Sequence, residues 1–136
     1  GVLVGFANGR LLNRDINISL HTMAFVRGGR IGATMYYAKA YYAFEILNNK
    51  EWWATYESYN GWWRWAIGMA QPSYPWPDYQ HELGGARVYY INKEYWDKVI
   101  KDYVRQVVGA DLVFDDIPDE VIKANEVMRV PDEVMV

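Results

Sequence analysis

Seven tryptophans and twelve tyrosines crowd this chain of 136 residues, against only four phenylalanines. Each Trp or Tyr joins a large apolar body to a polar tip that needs a partner, so both settle at half-buried seams and interfaces. A chain of this length folds as one domain with a modest core. The ring load exceeds what such a core hides easily, and the surplus predicts extensive contact between subunits. A hydrophobic share of 51% excludes wholesale disorder.

The same inventory removes several kinds of chemistry. There is no cysteine, which rules out disulfides, thiolate catalysis and Cys-ligated metals. No run of about 18 apolar residues occurs, so no segment reads as a transmembrane helix. His21 and His81 are the two histidines, and neither belongs to a metal-ligand motif such as His-Glu-x-x-His. Asp78 and His81 share a D-x-x-H spacing, but they sit in a proline loop with no helix to align them. Asp115-Asp116 precede a helical segment, where capping accounts for at least one of them. No phosphate loop, dinucleotide fingerprint or nucleophile elbow appears. The chain therefore reads as a non-enzyme, with no metal and no cofactor.

Hydrophobic periodicity predicts helices. Between Gly9 and Gly28, Leu12, Ile16, Leu20 and Met23 recur at helical spacing, and Arg10, Arg14, Asn17 and His21 form a polar, mainly cationic stripe beside them. Ile16, Ile18 and Leu20 also alternate as in a strand, but two stripes favour a helix. Residues 33–49 predict a second helix, ended by Asn48-Asn49. Trp52, Tyr56, Tyr59, Trp63 and Ile67 predict a third, forming a helical hairpin with the second. Pro72, Pro75 and Pro77, followed by Gly84-Gly85, mark a loop. Within it Arg87–Ile91 resembles a strand lacking an evident mate. Residues 93–108 predict a helix capped by Asn92 and stopped at Gly109, with Trp96, Val99, Ile100, Tyr103 and Val107 on one face. Glu94/Lys98 and Asp97/Lys101 pair along its solvated side. A short helix follows, with Pro118 in its first turn and Pro131 at its end. The expected fold is all-α: an extended N-terminal helical arm over 1–32, then an antiparallel helical bundle over 33–130 with a proline-rich loop at 72–92, and a tail at 131–136.

Charge divides the chain along the same line. Residues 1–44 hold Arg10, Arg14, Arg27, Arg30 and Lys39 against Asp15, a net of +4, and the remainder is net −7. A basic arm on an acidic body is a common polyanion-binding layout, because arginine forks match phosphate oxygens. The plainer alternative is an ordinary amphipathic helix with its arginines in water. The segment Trp52–Trp65 also admits three readings: stacking on bases or sugars beside Arg64, a membrane-interface helix, which would normally carry more Lys, or packing at a subunit interface through Trp52, Trp53, Tyr56, Tyr59, Trp62 and Trp63. Interface packing fits its helical stripe better.

An arm like residues 9–32 followed by a helical body resembles the coat proteins of filamentous and rod-shaped archaeal double-stranded DNA viruses. The likeness is one of layout over most of the chain. It implies a structural virion protein, in the host cytoplasm before assembly, that packages double-stranded DNA and polymerises as a homo- or heterodimer with a second coat protein into a filament. Carried over, Arg10, Arg14, Arg27 and Arg30 would contact the DNA backbone without reading sequence, with Lys39 at the edge and Asn17 and His21 on the same face. Two other classes stand beside it: an accessory or catalytic subunit of a soluble enzyme complex, and a protein-only helical scaffold.

Overall fold

Asn13 decides how the first third of the chain folds. In the computed structural model, which describes residues 1–74 and 87–111 together with 119, 120 and 123, its side-chain oxygen accepts the backbone N–H of Asp15 at 2.9 Å and of Ile16 at 2.8 Å. A side chain that captures its own downstream backbone in this way reverses the chain. Strand β1 (Gly5–Leu11) therefore runs antiparallel to β2 (Ile16–Ala24). β3 (Glu51–Ala54) lies parallel to β2, and β4 (Tyr89–Asn92) antiparallel to β3. The four form one mixed sheet in the order β1-β2-β3-β4. This overturns the all-α expectation of a helical arm followed by an antiparallel helical bundle. Leu12 and Ile16 are four residues apart because they flank a turn, so the apparent helical stripe counted across a chain reversal.

The parallel step from β2 to β3 needs a crossover, and helix α1 (Ile31–Tyr41) supplies it, widening into a π-helical turn over Tyr42–Ile46. Gly28, Gly29 and Arg30 all hold left-handed φ angles of 91°, 63° and 56°. The glycine pair takes two of these without steric cost and swings the chain from strand to helix. The helix stops before Asn48, itself left-handed at φ 55°. Asn49 then ties the crossover to the hairpin turn, its amide donating to the Arg14 carbonyl at 3.0 Å. Lys50 and Glu51 both donate their N–H to the Asp15 carbonyl, which starts β3 in register with β2.

Two further helical runs complete the fold. A single turn, α2 (Tyr59–Gly61), capped by Ser58, opens into a π-helical stretch over Trp62–Ile67. Trp52 thus belongs to a strand, and the helix expected from it begins only at Tyr59. The last run comprises α3 (Lys93–Tyr95), a π-helical turn over Trp96–Ile100, and α4 (Lys101–Val108). Asn92 accepts the Tyr95 N–H at 2.7 Å, and Gly109 ends the run at φ 77°. The wide turn shifts the helical phase. Trp96, Ile100 and Val104 are fully buried, while Val99 and Tyr103 stay 45% and 36% exposed. The Glu94–Lys98 ion pair forms, but Asp97 pairs with Lys93 and Lys101 reaches Glu45.

Consecutive residues on a strand face opposite ways, so Trp52 and Trp53 anchor two separate clusters. On the helix-covered face, Tyr36 meets Trp52 edge-on at 4.9 Å and stacks on Trp65 at 4.2 Å, with Phe44, Ile91, Trp96 and Ile100 alongside. Its polar tips close a ring: Gln71 donates to the Tyr36 hydroxyl at 2.8 Å, and the Tyr56 hydroxyl donates to Gln71 at 3.1 Å. On the other face Trp53 packs with Leu12, Ile18 and Val88. Asp78, His81, Gly84-Gly85, Asp115-Asp116 and the expected tail lie outside the described residues, as does most of the expected helix near Pro118.

Candidate interaction surface

Helix α1 covers one face of the hairpin, and Gly5 admits it. A Cβ at Gly5 would sit 2.8 Å from Met35 Cε and 2.9 Å from the Met23 carbonyl oxygen. Under the helix, Lys39 reaches down to the strands, donating to the carbonyls of Asn8 at 3.2 Å and His21 at 3.0 Å and to Ser19 Oγ at 2.5 Å. The bonds gather where β2 carries an extra residue. Asn8 pairs with His21 but Gly9 pairs with Ser19, leaving Leu20 as a bulge. Burial pushes Lys39 down to about 8, while the three acceptor oxygens favour its charged form.

The opposite face of the hairpin is covered at Ile18 by the Trp53 cluster and open beyond it, toward the ends of the two strands. Phe6 stands across from Met23, Asn8 from His21 and Arg10 from Ile18. Asn8 Oδ1 accepts the His21 N–H at 3.0 Å, and the Phe6 and His21 rings stack with centroids 6.4 Å apart. Phe6 is 41% and Met23 51% exposed, Val4 and Phe25 continue the same face at the next step of the ladder, and Val2, Leu3, Leu20 and Val26 are exposed elsewhere on the hairpin and its flanks. Eight of the thirteen exposed large hydrophobics among the described residues therefore belong to this hairpin and its flanks. Soluble monomers rarely gather so much apolar surface in one place. The sequence carried a signal for this surface, since large Phe6, Asn8 and Arg10 interleave with small Gly5, Ala7 and Gly9 at the strand period of two.

The residues expected to hold a nucleic-acid backbone are scattered by this geometry. Arg10 and Arg14 lie toward the hairpin turn, and Arg27 lies past its other end. Seven residues at about 3.4 Å each put roughly 20 Å between those ends. Asn17 is buried on the helix-covered face, away from Arg10 and His21, so the four do not form one stripe. Arg30 donates to the Val108 carbonyl at 3.2 Å, a favourable place for a cation at the C-terminal end of α4. Lys39 is engaged beneath the helix.

The aromatic residues expected at an interface divide in a similar way. Trp52 and Trp53 are 1% and 3% exposed within the protomer's own core. Tyr56 belongs to the polar ring, and Trp62 donates to the Tyr89 hydroxyl at 2.7 Å. Tyr59 and Trp63 remain on the surface, 70% and 56% exposed, with rings 8° from parallel.

A groove of about 490 Å³ lies between Pro72, Tyr90, Tyr95 and Val99. Its polar groups are already engaged: Asn92 caps the helix, Tyr95 donates to the Met69 carbonyl, and Glu94 pairs with Lys98 at the rim. Among the described residues no three His, Asp or Glu side chains converge as a metal site would need, and no helix is long and apolar enough to cross a membrane. Compared with known proteins, the chain matches no family model, no curated protein and no solved structure.

Proposed function

We propose that this protein is a structural subunit that self-associates through the apolar face of its N-terminal hairpin and carries a polyanion in the assembled state. The observation that supports it is the concentration of exposed large hydrophobics on and beside β1 and β2. Phe6, Met23, Phe25 and Val26 are already about half buried, so covering the remainder would contribute about 1 kcal/mol each, enough together to drive association. Exposed Arg10, Arg14 and Arg27 support the second half. Packaging of double-stranded DNA by a coat subunit is the concrete form that the charge split favours, through contacts to backbone phosphates.

Sedimentation velocity over a concentration series tests the first half. The wild-type chain associates, and Met23→Asp with Phe25→Asp sediments as a smaller, folded species. A wild-type chain that stays monomeric throughout removes the proposal. For the second half, Arg27→Glu lowers affinity for duplex DNA at fixed salt without altering association. DNA affinity unchanged by that substitution restricts the function to a protein-only assembly.

A further inference from the structure

We infer that two copies of this chain join through the free edge of β1, antiparallel and in full-length register, making one sheet of eight strands. The inference rests on the assembly reading above and adds to its face contact a second one, at the hairpin's edge.

β1 is the first strand of the sheet, with no strand beyond it among the described residues. Two bonds fix the direction of its backbone groups. Phe25 N–H donates to the Val4 carbonyl at 2.8 Å, and Leu12 N–H donates to the Ile16 carbonyl at 2.9 Å. Hydrogen-bonded pairs alternate along an antiparallel ladder, so Gly5, Ala7, Gly9 and Leu11 turn their N–H and C=O outward. Free edges in soluble proteins are normally guarded by lysine, proline or an inward-pointing charge. β1 has none of these and carries only Arg10 near one end. The helix above it is unguarded too. Between Ile31 and Phe44 the single charged residue is Lys39, and it is turned down onto the strands. Met35 lies against Gly5 of β1, and it and the equally half-exposed Ala38 and Tyr42 add no charge to the helix.

A second copy satisfies this edge without conflict. Full overlap pairs Gly5 with the partner's Leu11, Ala7 with the partner's Gly9, and Asn8 with the partner's Asn8. Arg10 then falls beside the partner's Phe6, a cation over an aromatic ring, and no like charges stand opposite each other. Because α1 rides over both β1 and β2, strands about 4.8 Å apart would set the two α1 helices about 10 Å from one another, which is the spacing of packed helices.

The absence of cysteine makes the register directly testable. Phe6 and Arg10 occupy a non-hydrogen-bonded cross-strand pair, within disulfide reach. A mixture of Phe6→Cys and Arg10→Cys chains gives a covalent dimer under mild oxidation, and neither variant does so alone. Ala7→Pro removes an outward N–H without touching the β2 ladder. It reduces association to what the hairpin face alone supports, while circular dichroism stays that of the wild type. Disulfide formation by either cysteine variant alone overturns the register. Association undiminished in Ala7→Pro, with no disulfide in the mixture, overturns the edge contact and leaves association through the hairpin face standing. A wild-type chain that is monomeric at every concentration overturns both.

Discussion

The backbone N–H of Leu12 donates to the carbonyl of Ile16 at 2.9 Å, the reverse of the bond a helix would make between the same two residues. In a helix Ile16 donates and Leu12 accepts. Here the chain has turned around between them, and the reversal converts what reads as a helical arm into the first half of a sheet. The side chain of Asn13, 5% exposed, holds that reversal by accepting two backbone N–H groups.

Asn13→Ala removes both acceptor bonds and leaves two amides of a tight turn to find water. The expected cost is about 1–3 kcal/mol. Urea denaturation should show a lower midpoint with an unchanged slope, because the native surface is preserved.

Lys39 predicts an unusual alkaline behaviour. Its folded-state value is lowered to about 8 by burial, from an ordinary 10.5. Between those values the unfolded chain keeps a proton that the folded chain has released, so stability rises as pH climbs from about 8 toward 10.5. Below about 8 both states are protonated and the burial penalty is present in full. The difference in denaturation midpoint between wild type and Lys39→Met should change across this window and level off on either side.

The ring of Tyr36, Tyr56 and Gln71 gives a spectroscopic signature. Burial raises Tyr56 to about 12 and lifts Tyr36 well above its ordinary value. Tyr36 and Tyr56 should therefore resist ionisation in an ultraviolet titration until the fold opens. Tyr56→Phe strands the Gln71 carbonyl in the interior and should cost about 1–3 kcal/mol.

Two glycines should respond differently to alanine. Around Gly28 a Cβ meets nothing within 4 Å, so Gly28→Ala costs only the strain of its left-handed φ of 91°, about 1–2 kcal/mol. At Gly5 the new methyl meets the Met23 carbonyl oxygen at 2.9 Å, and backbone cannot yield as a side chain can. Gly5→Ala should shift β1 against α1, visible as lost amide-exchange protection at both, whereas Gly28→Ala should leave protection in place.

Local signals were legible where the physics was local. Asn92 and Gly109 mark the ends of the last helical run in sequence and in structure, and Asn48-Asn49 mark the end of the crossover helix. The sheet was hidden because its determinants are distant. β3 is four residues long, buried on both faces, and its Trp52 happens to continue a helical stripe through Tyr56 and Tyr59. Tyr89–Asn92 looked unpaired because its mate lies some 38 residues upstream. Val99 and Tyr103 were assigned to the buried face because a sequence period cannot reveal a π-helical turn that shifts the phase. Of the candidate site, the apolar hairpin is hidden in the sequence because the reversal between Leu12 and Ile16 mimics helical spacing across residues 9–28. The exposure of Arg10, Arg14 and Arg27 was legible from charge alone.

The parallel pairing of β2 with β3 also sets an order of events during synthesis. The hairpin of β1 and β2 is complete by Ala24, whereas β3 begins at Glu51. For the time it takes to make the intervening chain, β2 has an open side as well as β1. A nascent hairpin therefore offers two vacant edges to neighbouring chains, and only the arrival of Trp52 and Trp53 closes one of them.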